Sequence, residues 1–115
     1  MREPPPVAIV QDWRQLETAL RAARDTGAPA RLATGPDAAS IWGAGYLGAL
    51  EARARREFPD VVFELIVDCG DAPGYALACL RAGVSRISFS GSPEVRAKLA
   101  DIAHQMGAAV VESAT

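Results

Sequence analysis

Val61-Val62-Phe63-Glu64-Leu65-Ile66-Val67 is the most apolar run of this 115-residue chain, and its reading decides the fold. Phe58-Pro59 ends what precedes it and Asp68-Cys69-Gly70-Asp71 turns the chain after it. A run of this length, rich in β-branched residues and bounded by turn signals, reads as a strand. Its near-continuous apolar character is that of a central strand in a parallel sheet, covered on both faces. It therefore marks the middle of the sheet.

Outward from this strand, strand signals alternate with helical stretches, the pattern of βα units. Before it come Val7-Ala8-Ile9-Val10 and Arg31-Leu32-Ala33-Thr34. Between these two, Asp12 caps a helix with Gln15 at the reciprocal position, Trp13, Leu16, Leu20 and Ala23 recur at helical spacing, and Gly27 stops it. Gly35-Pro36-Asp37 makes a turn into one long helix from about Ala38 to Glu57. After the central strand, Asp71 is expected to cap a helix with Pro73 in its first turn, ended by Gly83. Val84-Ser85-Arg86-Ile87-Ser88-Phe89 is the fourth strand, and Ser92-Pro93 starts a last helix with Val95, Leu99, Ile102, Ala103 and Met106 as its buried stripe. Ala108-Ala109-Val110-Val111 is the fifth strand.

Five such strands joined by right-handed crossovers predict an α/β fold: a five-stranded, mostly parallel sheet with helices on both faces. The expected order is the flavodoxin-like 2-1-3-4-5 of a three-layer sandwich. The alternative is half of a (β/α)8 barrel that closes by pairing with a second copy. Residues 1–6, with three consecutive prolines, read as an extended lead-in, and residues 7–115 as a single domain.

Composition narrows the function classes. Half of the residues are hydrophobic and only 6% aromatic, so the core is built from Ala, Val, Leu and Ile. The net charge of -2 carries no electrostatic footprint for nucleic acid. No segment has the length of a membrane span or the apolar stretch of a signal peptide, so no membrane association and a cytoplasmic location are expected. Cys69 and Cys79 match neither a CxxC pair nor a zinc-ligand set. Cys69 beside two acids is a poor nucleophile, because negative charge disfavours its thiolate. The sole histidine, His104, falls on the solvent side of the last helix, and no multi-histidine site can form in one chain.

In parallel sheets ligands bind beyond the carboxyl ends of the strands. That rule selects Asp12, Asp68, Asp71, Ser90 and Ser92 as candidate ligand-binding residues, with Thr34 to Ser40 alongside. Asp68 and Asp71 could hold a divalent cation through oxygen ligands, while the helix starts at Asp71 and Ser92 offer backbone donors to a small anion. Helix capping explains Asp71 and Ser92 without any ligand. Asp68 stands outside any cap and is the stronger candidate.

Ile66-Val67-Asp68, followed by Asp71-Ala72-Pro73-Gly74 and Leu77 and Leu80, resembles a response-regulator receiver domain. The resemblance implies Asp68 as phosphoacceptor, Asp12 as half of an acidic metal pocket and Ser90 as the hydroxyl residue ending the fourth strand. The chain departs from that pattern with Gln11-Asp12 where two adjacent acids are usual, and with Val111-Glu112 where a lysine is usual. The segment Asp68 to Gly74 before an Ala/Leu helix is also similar to one in small uncharacterised bacterial α/β proteins, which implies the fold and no activity. Separately, Gly43-Ala44-Gly45-Tyr46-Leu47-Gly48 matches GxGxxG and resembles the dinucleotide fingerprint. It follows a turn and a helix start rather than a strand, so close helix packing is the alternative.

These readings lead to a non-catalytic domain that binds a small anion or metabolite, as a homo-oligomer. A metal-dependent lyase or phosphoryl-transfer enzyme using Asp68, a degenerate receiver-like domain, and a structural subunit with Trp42 and Tyr46 in its interface are the alternatives.

Overall fold

The computed structural model describes residues 6–114, so the proline-rich lead-in lies outside the described residues except for Pro6. The elements run β1 (Val7–Ile9), α1 (Trp13–Thr26), β2 (Ala30–Ala33), α2 (Ala38–Trp42), α3 (Ala44–Glu57), β3 (Phe63–Asp68), α4 (Pro73–Arg81), β4 (Arg86–Ser88), α5 (Pro93–Gln105) and β5 (Ala109–Val111). The expected α/β class holds, with five parallel strands in one sheet and helices between them. The Phe63 run is the central strand, third of five.

The order of the strands differs from expectation. It is β1-β2-β3-β4-β5, sequential throughout, rather than 2-1-3-4-5. Each crossover steps to the next neighbour in the same direction, and crossovers of one hand then place successive helices on one side. The packing agrees, because one core cluster holds Leu16 and Leu20 of α1, Ala38 and Ala39 of α2, Leu47, Leu50 and Ala54 of α3, Ala76, Cys79 and Leu80 of α4, and Leu99 and Ala103 of α5. The strand residues in that cluster are Leu32, Phe63, Leu65, Val67 and Ile87, all of one pleat parity. Residues of the other parity, Arg31, Glu64, Arg86 and Asp68, point away from the helices. Sequential parallel order is also the order found within a (β/α)8 barrel.

The charged positions of the strands share one pleat parity, beginning in β3 itself. Its apolar run contains Glu64, opposite Arg31 of β2, while Arg86 of β4 stands opposite Ile66 at the same pleat parity, so one face carries charge at three places. Arg31 Nε donates to Glu64 Oε1 at 3.0 Å across the two strands, a paired contact suited to a half-exposed face.

Caps follow the sequence at α1 and α5. Asp12 accepts from the Gln15 N–H at 2.9 Å, and Gln15 Oε1 accepts from the Gln11 N–H at 2.8 Å. Ser92 Oγ accepts from the Val95 N–H, and Gly27 closes α1 at φ 70°. Three local expectations are corrected. The helix expected over 38–57 is two, because Gly43 sits at φ 86° and starts a new helix. Asp71 caps nothing: the turn through Gly70 at φ 57° delays α4, whose N-cap is Ala72. Ile102 and Met106 are 37% and 48% exposed, leaving Leu99 and Ala103 as the buried pair of the stripe.

Candidate functional site

A recess of about 450 Å³ opens at the carboxyl ends of the strands, lined by Pro36, Asp37, Asp68, Gly70, Phe89, Ser90, Arg96, Glu112 and Ser113. It is the place the strand-end rule selects. Asp68 ends β3 on the face away from the helices, opposite Ser88 in the parallel register. Its Oδ1 accepts from Ser88 Oγ at 2.8 Å and its Oδ2 from the Asp37 N–H at 2.7 Å. Its own N–H donates to Thr34 Oγ1 at 3.0 Å, and Thr34 is buried. One carboxylate thus ties β3 to β4 and to the loop that follows β2.

The loop conformation depends on that tie. Asp37 lies at φ 57°, ψ 27°, the left-handed region, which Asp enters more readily than most side chains. Gly70, also left-handed, packs beneath it, and a Cβ at position 70 would run into Asp37 Oδ1. The Ser90 N–H donates to the Gly70 carbonyl at 2.8 Å, which sets the loop after β4 against the loop after β3. Across the recess, Arg96 from α5 donates to the Phe89 carbonyl at 3.1 Å and to Glu112 Oε1 at 3.2 Å. Phe89 packs its ring on Gly91, where a Cβ would displace it.

The recess brings together Asp68 and Ser90 of the sequence candidates. Asp12 and Ser92 are exposed helix caps outside its lining, and Asp71 is exposed and likewise outside it. β2 separates the end of β1 from β3, so Asp12 and Asp68 follow strands that are not neighbours. Asp68 and Asp71 therefore do not share this recess as a cation pair, and no group of three or more potential metal-ligating side chains occurs among the described residues. Ser88, Arg96 and Glu112 were outside the candidate set, and Asp37 entered only within the Thr34 to Ser40 stretch alongside it. Asp37 carried the signal of its Gly-Pro-Asp turn, whereas Arg96 and Glu112 join only through the packing of α5 beside β5.

Charge in the recess is uneven. Asp37, Asp68 and Glu112 face one guanidinium, Arg96, and among the described residues Asp68 has no ion-pair partner. Arg96 is a third exposed and Glu112 almost wholly so, which leaves that pair in solvent contact and weak. The two thiols beneath the site are buried and free. The neighbouring Cys79 sulfur first, then burial, then the charge of Asp68 hold the Cys69 thiol far above its ordinary range, so Cys69 stays protonated.

Elsewhere, the glycines of the GxGxxG stretch have structural roles. Gly43 divides α2 from α3, and Gly48 lets α3 approach the backbone of Ala82. The motif does not follow a strand. Two of the three arginines of α3 are engaged within the fold: Arg53 stacks on Trp13 at 4.0 Å, and Arg55 lies over Phe63 at 4.7 Å. Trp42 and Tyr46 sit with ring centroids 6.1 Å apart and are 46% and 41% exposed. Among the described residues no helix is long and apolar enough to cross a membrane. Comparison of the sequence with protein families and with curated proteins finds no match.

Proposed function

We propose that this chain is a non-catalytic binding domain whose recess at the carboxyl ends of β2 to β5 takes a small polar metabolite. The observation that carries this reading is the position of Asp68: a carboxylate held by two uncharged donors, without a cationic partner among the described residues, at the rim of a 450 Å³ recess. Backbone and hydroxyl donors hold the carboxylate in place, and its charge is left to be met from the solvent side. Three carboxylates against one guanidinium disfavour a simple anion by Coulomb repulsion and favour a zwitterion. Its cationic or hydroxyl-bearing end would lie by Asp68 and Asp37, and its acidic end by Arg96 and Ser90. The volume suits a metabolite at the lower end of the range for small-molecule sites, roughly 300–1,000 Å³.

The test is a titration followed by amide resonances, with free arginine, inorganic phosphate and magnesium as separate probes. Binding of arginine that moves the Asp37, Gly70 and Ser90 amides, and that Asp68→Asn abolishes while far-UV circular dichroism is unchanged, supports the reading. Shifts confined to magnesium would replace it with the metal-dependent alternative, and shifts confined to phosphate with an anion site at Arg96. Unmoved recess amides with all three probes would remove the recess as a site for these chemistries.

A further inference from the structure

We propose, resting on the recess as a binding site, that Glu112 occupies the place of the ligand's own carboxylate on Arg96. The recess then selects zwitterions whose acidic group is a carboxylate, and such a ligand enters by displacing Glu112. Arg96 is fixed through one nitrogen and loosely engaged through another. Its Nη1 donates to the Phe89 carbonyl at 3.1 Å, a neutral main-chain acceptor that positions the guanidinium without meeting its charge. Its Nη2 donates to Glu112 Oε1 at 3.2 Å, and Glu112 is its only ion-pair partner among the described residues. The Glu112 side chain is 93% exposed against 33% for Arg96, so the cation is the more enclosed member of the pair. A pair of that kind is weak, and its carboxylate is readily exchanged for another.

Charge favours a carboxylate as the incoming group. With Asp37, Asp68 and Glu112 set against Arg96, the recess holds an excess of negative charge. A phosphate dianion adds to that excess even as Glu112 leaves, whereas a carboxylate replaces Glu112 charge for charge. It also reproduces the charge-assisted contact that Nη2 already makes. Glu112 follows directly after the last residue of β5 and gives up little on release, because its side chain is almost fully hydrated in place. Asp68 and Asp37 remain for the cationic end, so the recess reads two groups of one molecule. An analogue without the carboxylate has nothing to exchange for Glu112, and that difference is the source of selectivity.

The experiment titrates the full chain with free arginine, with agmatine, which is arginine without its carboxylate, and with acetate, at constant ionic strength. The Arg96 Nε resonance and the Asp37, Gly70 and Ser90 amides report binding. Glu112→Ala, at an exposed position, is expected to raise the affinity for arginine at least about threefold by removing the competing carboxylate, and to leave agmatine unchanged or weaker through the lost negative charge. Arg96→Gln is expected to reverse the signs, weakening arginine and not agmatine; if it unfolds by far-UV circular dichroism, Glu112→Ala carries the test. Acetate, which needs only Arg96, is expected to move the Arg96 Nε resonance at lower concentration in Glu112→Ala than in wild type. Arginine that binds wild type and Glu112→Ala alike, or arginine and agmatine that gain equally, would overturn the proposal and leave the recess reading standing. An acetate response equal in the two chains would overturn it whatever arginine does. Silence with arginine and agmatine in both chains would remove the recess as their site and the proposal with it.

Discussion

The two ends of the sheet each hold a carboxylate that ties elements together, and they differ in how its charge is met. At the amino end Glu51 of α3 is only 2% exposed. It accepts from the Ser85 N–H at 3.2 Å, from Ser85 Oγ at 2.7 Å and from Arg55 Nε at 3.1 Å. At the carboxyl end Asp68 accepts from a backbone amide and a serine hydroxyl, and has no ion-pair partner among the described residues. Glu51 is a closed structural clamp, with its charge balanced from within. Asp68 performs the same bridging task without an ion-pair partner among the described residues, and the proposed binding role of the carboxyl end rests on that difference.

The largest expected effect is at the closed end. Glu51→Ala leaves the Ser85 amide without its acceptor and Arg55 without its carboxylate, and is expected to cost about 3 kcal/mol in chemical denaturation. A loss below about 1 kcal/mol would mean that Glu51 is dispensable and would erase the contrast. Gly70→Ala forces a side chain into a left-handed position and against Asp37, with an expected loss of about 2 kcal/mol by the same assay. Asp68→Asn keeps an acceptor for one donor and strands the other, so about 1 kcal/mol is expected, well short of Glu51→Ala. A cost equal to or above that of Glu51→Ala would show both carboxylates to be structural clamps. The smallest effect sharpens the comparison. Asp37→Gly relieves a left-handed side chain and is expected to leave stability within about 0.5 kcal/mol of wild type, while weakening ligand affinity through the lost carboxylate.

How far the sequence reached differs between these regions for physical reasons. Periodicity and caps located the strands and helices, because Asp12, Gly27 and Ser92 act through neighbours within a few residues. Strand order escaped because a crossover is silent about the direction of its next step. The charges at Arg31, Glu64 and Arg86 held the missing information, since three charged residues on one pleat parity mark a face without helices. Gly43 could have continued a helix or broken it, and only its φ of 86° decides. Asp68 and Ser90 were singled out because they follow strand ends, and strand ends adjoin the recess whatever the order. Arg96 and Glu112 were not, since they meet across sixteen positions through the packing of α5 beside β5. Glu51 and Arg55, four apart on α3, look like a surface pair until Ser85 is brought against them.

The central claim is that the Asp68 recess binds a small molecule, and native mass spectrometry of freshly purified protein tests it most directly. Wild type is expected to carry a retained mass beyond the chain itself, lost in folded Asp68→Asn prepared in parallel. Bare chain in both preparations, or the same retained mass in both, would contradict it.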